Sequence, residues 1–325
     1  MLRLQRFAVL GTMLIAHAVV LAQGTDTWPS RPVSLIVPFT PGGSTDAEAR
    51  VYSQKLTESI GKSVVLDYKP GAGSVLGMNY VAKAAGDGHT LLIMGPSIAI
   101  APSSQKSLPY DPAKDLLAVS VITKRPIVLT VNPSIPIRTP AEYIAYAKAN
   151  PGKLNFGTPG MGGSPHLNGE WLSSIADIKM TFVHYKGVAQ QYVDLMAGRN
   201  DAAYVVLGTA LPLIKSGKLR VIGYASLVTS PLLPNVPVIG EQAAPGLDYT
   251  SWLGIGGPGT IPPALLTRIH GELQRMARSP DVAQRFESEG VVTVTMTPQD
   301  SRTFVAAETA RWRSLVKDRG ITFEE

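Results

Sequence analysis

The sequence predicts an α/β fold in two halves, and three observations carry that prediction. Short apolar, β-rich runs alternate with helical patterns along most of the chain, as expected for largely parallel or mixed sheets flanked by crossover helices. The 325 residues are about two domains' worth at ~150 residues each. One strand–loop–helix pattern also occurs twice. "LIVPFTPGGSTDAEARVYSQKL" from Leu35 and "LNFGTPGMGGSPHLNGEWLSSI" from Leu154 both read strand, Thr-Pro-Gly, Gly-Gly-Ser, helix.

Taken in order, the chain starts with a leader pattern at 1–22. Arg3 and Arg6 precede the apolar run Phe7–Ala16, and Val20-Leu21-Ala22 offers small residues for cleavage near Ala22. His17 breaks the run well short of the roughly 18–20 apolar residues a membrane span needs, and no later stretch is long enough. The pattern therefore predicts export of a soluble mature chain. Strand Val33–Val37 is followed by a helix over Asp46–Ile60, with Tyr52, Leu56 and Ile60 at four-residue spacing. Next come strand Val64–Asp67, helix Ser74–Ala85, strand Thr90–Met94, a loop rich in Pro and Ser, and strand Pro126–Asn132. Thr139 caps a helix with Pro140 at its first position, and Asn150-Pro151-Gly152 stops it. Strands Leu154–Gly157, Thr181–Tyr185, Ala202–Leu207 and Leu219–Tyr224 continue the alternation, with helices around Pro165–Ile175 and Gln190–Ala197.

Composition narrows the function. With 45% apolar and 17% charged residues the chain can bury large cores and is not disordered. There is no cysteine, which excludes disulfides, thiolate metal sites, cysteine nucleophiles and a lipid-modified cysteine. The formal charge of +6 includes the two leader arginines and shows no clustered basic stripe, so nucleic acid is not an expected partner.

The two Gly-Gly-Ser loops pose the main chemical question. In the first, Thr45-Asp46-Ala47-Glu48 fits a capping box. In the second, Ser164 is an N-cap candidate with Pro165 next and an apolar stripe Leu167, Trp171, Ile175. A helix N-terminus offers unpaired N–H groups and partial positive charge to an anion, and glycine lets the backbone approach closely. Either two Gly-rich turns coincide, or two halves each present a helix start to one ligand. The phosphate reading fails on spacing. Gly61-Lys62-Ser63 has Leu56 where a P-loop needs its first glycine. "GAGSVLG" from Gly71 is one residue too long for the dinucleotide fingerprint. Gly254, Gly256 and Gly259 match it, but Pro258, Pro262 and Pro263 crowd that turn and no acidic residue follows at the required distance.

Catalytic signatures are missing too: no G-x-S-x-G elbow, no H-E-x-x-H helix, and no metal spacing among His89, His166, His184 and His270. A Ser164–His184–Asp194 triad can be drawn on the sequence without local support. No enzyme activity, metal or cofactor is expected; a carboxylate or similar anion is what the loops fit. Asp46 either complements the helix dipole, accepts a hydrogen bond from a ligand, or pins the loop.

The chain resembles the tripartite tricarboxylate transporter receptors, or Bug proteins, which are bacterial periplasmic solute-binding proteins. The resemblance runs from "WPSRPVSLIVPFTPGGSTDAEAR" through "KPGAGSVLGMNYVAKAAGDGHTLLIM", "LPYDPAKDL", "AYAKANPGKLNFGTPGMGGSPHL", "HYKG", "SGKLRVIG" and "LPNVPVIGE" to "ETARWRSLVKDRGI". It implies a type II, two-domain Venus-flytrap fold in which residues 26–127 plus 250–325 form domain 1 and 128–249 form domain 2. The hinges would fall at Pro126–Asn132 and Asp248–Trp252. It implies a small organic carboxylate gripped in the cleft by Phe39, Pro41, Gly42, Gly43 and Asp46, by Ala72, Gly73 and Ser74, and by Ser97. From the second domain come Thr158, Gly162 and Ser164 with His166 in support, then Tyr185, Lys186 and Gly187. Membrane transporter subunits are the implied partners of a monomeric receptor; a secreted serine hydrolase using Ser164 or Ser44, or a sensor presenting its ligand to a membrane kinase, is the alternative.

Three departures bear on the ligand. The usual Gly-Ala-Gly-Gly is Gly71-Ala72-Gly73-Ser74, which adds a hydroxyl, and the usual Pro-Asp-Gly-Tyr is Gly86-Asp87-Gly88-His89. Val205-Val206 stands where many members carry an aspartate and an asparagine. If Val205 faces the cleft, a partner for ligand amines is missing, which points to a non-amino carboxylate.

Overall fold

A computed structural model describes residues 28–318, 320 and 321; the leader and its cleavage point lie outside the described residues. Two mixed sheets, each flanked by helices, make two lobes. The first sheet contains β1 (Val33–Val37), β2 (Val64–Tyr68), β3 (Thr90–Met94), β4 (Leu116–Arg125), β10 (Ser251–Pro258) and β11 (Val292–Thr293), in the order β11-β4-β10-β3-β1-β2. The second contains β5 (Ile127–Val131), β6 (Asn155–Thr158), β7 (Thr181–His184), β8 (Ala202–Val206) and β9 (Arg220–Tyr224), in the order β7-β6-β8-β5-β9. The strands predicted at Val33–Val37 and Thr90–Met94 are found with those bounds.

Parallel pairing holds where strands follow one another through a helix. β1 pairs in parallel with β2 and β3, and β6 with β7 and β8. It fails at the strands by which the chain changes lobe. Only Pro126 separates β4 from β5, so β5 enters the second sheet at the edge where β8 ends and runs antiparallel to it. β10 re-enters the first sheet from the same side and lies antiparallel between β3 and β4.

Helices cover both faces of each sheet, which is why the strands read as continuous apolar runs. With a side-chain period of two, Leu35, Val37, Leu91 and Ile93 pack on one face against α1 (Ser44–Ile60) and α9 (Pro263–Ala277) through Tyr52, Leu56, Ile269 and Leu273. Ile36, Leu92 and Met94 face the other way, toward Met78 and Val81 of α2 (Val75–Ala82), Ile98 of α3 (Ser97–Ser104) and Phe304 of α11 (Pro298–Asp318). The second sheet repeats the scheme. Leu129, Phe156 and Tyr204 meet Tyr143 of α4 (Pro140–Ala149) and Leu172 of α5 (Ser164–Ala176). Val128, Ala203 and Val205 meet Leu195 of α6 (Val188–Met196) and Leu211 of α7 (Leu207–Lys215).

Local signals resolve as follows. Thr139 caps α4 by accepting from the Glu142 N–H at 3.1 Å. Gly61, at φ 67°, closes α1 with its N–H on the Thr57 carbonyl, so Gly61-Lys62-Ser63 is a helix end. The capping box at Thr45–Glu48 does not form. Gly43 is the N-cap, and Glu48 turns inward to accept from the hydroxyls of Tyr52 and Thr123. Gly163, rather than Ser164, caps α5. Ala72–Ser74 form a 3-10 turn that delays α2 to Val75. Gly254 and Gly256 lie in the middle of β10, where a Cβ would come 2.3 Å from the Ser120 carbonyl oxygen and 2.3 Å from the Met94 sulfur. Those glycines let three strands pack; they form no phosphate turn.

Candidate functional site

Topology points to one candidate site. In open α/β sheets ligands bind beyond the carboxyl ends of the strands. At that end of the first sheet are the loops 38–43, 69–74 and 95–96, and at that end of the second, 159–163 and 185–187. Both crossings lie at the same edges, since Arg125 pairs with Ser251 and Ile127 with Val206. The two sets of loops therefore face each other. They also meet: a Cβ on Gly187 would be 3.5 Å from Thr40 Oγ1, and one on Gly43 would be 4.0 Å from Val188 Cγ2.

The two Gly-Gly-Ser loops share one geometry. Gly42 (φ 91°) donates its N–H to Asp46 Oδ2 at 2.9 Å, and Gly162 (φ 68°) donates to His166 Nδ1 at 3.1 Å. In both the acceptor is the helix residue four positions on. Gly43 and Gly163 are extended N-caps, and each carbonyl accepts from the helix, Ala47 and Leu167 respectively, at 3.1 Å. With the Gly42 and Gly162 N–H groups occupied, the donors without an intrahelical partner are those of the cap and first turn: Gly43, Ser44, Thr45 and Asp46 on one side, Gly163, Ser164 and His166 on the other. Pro165 has none to give.

Asp46 pins its loop. Besides the Gly42 N–H it accepts the Tyr68 hydroxyl on Oδ1 at 2.5 Å and pairs with Arg50 at 3.1 Å. Burial would raise its pKa, but the Tyr68, Gly42 and Arg50 contacts outweigh burial and hold it below the usual carboxylate value. Its charge is answered within this cluster.

His166 and His184 meet edge to face, with ring centroids 4.5 Å apart, beside Phe182. His184 Nδ1 shares a 2.7 Å hydrogen bond with Thr158 Oγ1, and His166 Nε2 lies 3.6 Å from Glu170. Burial first, then His166, pushes the His184 pKa down, with Glu170 opposing. A depressed histidine stabilises the fold fully above its unfolded value near 6.5, and that contribution is lost as pH falls through the folded value. The melting temperature is therefore expected to drop between about pH 7 and pH 5, and to drop less in His184→Gln; equal slopes in a pH-resolved melt would clear His184 of any part in it.

Among the other predicted residues, Ala72, Gly73 and Ser74 are successive left-handed residues (φ 48°, 61° and 82°), a curl of the kind that turns backbone N–H groups to one side. Ser97 opens α3, and Phe39 sits beside Gly95 in the neighbouring loop. Pro41 and Lys186 are exposed. The Tyr185 side chain is buried and donates to Asn200 Oδ1 at 3.0 Å. Val205 points into the apolar cluster with Leu195 and Leu207. Among the described hydrogen bonds none links Ser164 to His184 or His184 to Asp194, which instead holds Arg199. No cluster of metal-ligating side chains and no helix long and apolar enough to cross a membrane occurs among the described residues. A groove of about 720 Å³ lies between β2 and α2, lined by Tyr68, Lys69, Leu76 and Tyr80, and borders the 69–74 loop.

The sequence reading missed Arg125. It is buried, donates through Nη1 to Ser44 Oγ at 3.3 Å and through Nη2 to Ser251 Oγ at 2.9 Å, and so joins the start of α1 to the return crossing. Its trace in the sequence is a cationic residue closing the apolar run Leu116–Ile122 just before Pro126.

Residues 48–321 match the tripartite tricarboxylate transporter family receptor. Protein BugT of Bordetella pertussis is 33% identical over 315 residues, 96% of this chain and 97% of BugT. Two solved structures share the fold. R. palustris Rpa4515 with adipate has a TM-score of 0.85 and 33% identity, covering 91% of this chain and 99% of that one. MatC from Rhodopseudomonas palustris with bound malate has a TM-score of 0.82 and 26% identity, covering 89% and 100%.

Proposed function

The chain belongs to the tripartite tricarboxylate transporter receptor family, and from that premise we propose that it captures a small organic carboxylate between its lobes and hands it to a membrane transporter. Receptors of this family are periplasmic solute-binding proteins, not enzymes. The observation that carries the ligand class is the matched pair of helix starts, each with its glycine loop pinned by a side chain four residues on. The adipate and malate held by two relatives are carboxylates as well. Charge-assisted hydrogen bonds contribute about 1.5–3 kcal/mol each. Four or five on one carboxylate suffice for micromolar affinity, about −8 kcal/mol, after the ordering costs of binding.

In this reading residues 28–127 with 250–321 move as one domain and 128–249 as the other, closing about the crossings at Pro126 and Thr250. The ligand drives closure through contacts that exist only when the lobes are shut. The receptor acts as a monomer after cleavage near Ala22. Val205 packs inside its lobe, so its lack of charge does not bear on whether the ligand carries an amine.

Thermal melting of the mature, ligand-stripped protein against mono-, di- and tricarboxylates is the test. A ligand at about 1,000 times its Kd adds about 4 kcal/mol, a rise of roughly 6 °C at this size. If no carboxylate raises the melting temperature, the proposal falls.

A further inference from the structure

The facing serines of the two matched loops, Ser44 and Ser164, are each the first residue of their helix. Each lies near a residue flanking a lobe crossing. Arg125, the last residue of β4, donates to Ser44 Oγ at 3.3 Å; Tyr249, just before the return crossing, lies within electrostatic reach of both Ser164 and Arg125. The Arg125 side chain is only 5% exposed, and its Nε has no hydrogen-bond partner.

Among the described residues no carboxylate hydrogen-bonds this guanidinium. The nearest carboxylate oxygen, Glu48 Oε2, is 3.8 Å away, an ion pair beyond hydrogen-bond distance. Glu48 also takes two hydroxyls, from Tyr52 and Thr123, on its other oxygen. Burial raises the Glu48 pKa despite the opposing pull of Arg125 and those hydroxyls, which moves the carboxyl toward its neutral form. Arginine stays charged at every accessible pH, and a buried charge without a full partner is strongly unfavourable. An anion at the start of α1 would complete the arrangement.

We infer that Arg125 is the positioning cation of the carboxylate site: through the Ser44 hydroxyl it favours an ionised ligand over a neutral isostere, and its second arm on Ser251 ties that choice to the return crossing. Ser44 accepts from Arg125 and is left with its own proton to donate to the ligand oxygen. The inference rests on the carboxylate reading above, and it assigns the charge selectivity to a side chain where that reading uses backbone N–H groups.

Calorimetry on the mature protein with benzoate, malate, adipate and citrate, and with the amide of whichever acid binds tightest, tests it. The wild type is expected to prefer the acid to its amide by about 100-fold. The double variant Glu48→Met with Arg125→Met removes both members of the buried pair, so neither charge is stranded. It is expected to bind the acid about 30- to 100-fold more weakly and the amide as before. Arg125→Lys, which keeps the charge and loses the fork, should fall between. Glu48→Gln should keep the wild-type preference. A merely structural role would weaken acid and amide alike. The inference is overturned if the wild type prefers the acid by less than tenfold, a result that needs no variant to fold. It is overturned equally if the double variant, folded by circular dichroism, keeps the preference. In both cases the carboxylate reading stands. If none of the four acids binds the wild type, both fall.

Discussion

Asp46→Ala is expected to weaken carboxylate binding about 100-fold and to lower stability by about 3–5 kcal/mol, because one carboxylate holds three groups. The Gly42 N–H and the Tyr68 hydroxyl each lose a hydrogen bond to a charged acceptor, about 1.5–3 kcal/mol apiece. The third group, Arg50, is 61% exposed, so its ion pair adds little. Freed from Asp46, the Gly42 peptide can leave its left-handed conformation, and the loop must then be reordered each time a ligand binds. Asp46→Asn keeps one acceptor oxygen and should fall between. Titration calorimetry reads the first effect and denaturant unfolding the second; an Asp46→Ala protein with affinity within threefold of wild type would show that the clamp does not need its pin. The pH dependence has a definite sign. A carboxylate held below its ordinary pKa stabilises the fold above the unfolded value near 4, and that contribution is lost as pH falls through the folded value. The pin therefore survives mild acid and loosens only below about pH 4.

Gly254→Ala is expected to cost more than about 4 kcal/mol. The new Cβ would sit 2.3 Å from the Ser120 carbonyl oxygen and 2.9 Å from Val121 Cα, both backbone atoms of β4. Backbone in a central ladder cannot step aside without breaking the pairing on both sides, which puts this substitution among the exceptional single changes. Gly271→Ala is the control. It lies in α9 with nothing within 4 Å of the added carbon, so helix propensity alone should stabilise it by about 0.5–1 kcal/mol. Opposite shifts in thermal melts of the two variants are the expected outcome; a Gly254→Ala protein melting within 2 °C of wild type would mean that β10 has room to spare.

Local chemistry accounts for what could be read from the sequence. Runs such as Thr90–Met94 are apolar on both faces, so they stand out between polar helices, and Thr139-Pro140 carries its own cap. The Gly-Gly-Ser loops were legible because glycine is required where φ is positive and the backbone comes close. Contacts between residues distant in sequence were not legible. Thr45–Glu48 spells a capping box, yet Glu48 serves Thr123, 75 residues away. The role of Asp46 depends on Tyr68 arriving from the neighbouring strand. Arg125 acquires its meaning from partners 81 and 126 residues distant. Gly254 and Gly256 imitate a nucleotide fingerprint because packing between two strands and wrapping a phosphate both require the absence of a Cβ.

The position of β10 governs when the molecule can be finished. Consecutive strands β3 and β4 do not touch; the gap between them is filled by a strand that starts at Ser251. Until that strand exists, each of its two future neighbours presents an open edge of unpaired N–H and C=O groups, the kind of surface that recruits stray strands. The residues made first thus belong to the lobe completed last, and its loop closure spans the whole of the other lobe, the sort of long-range pairing that slows folding. No N-terminal fragment that stops short of Pro258 can close this sheet. The second lobe, continuous in sequence from β5 to β9, carries no such debt to residues still to come.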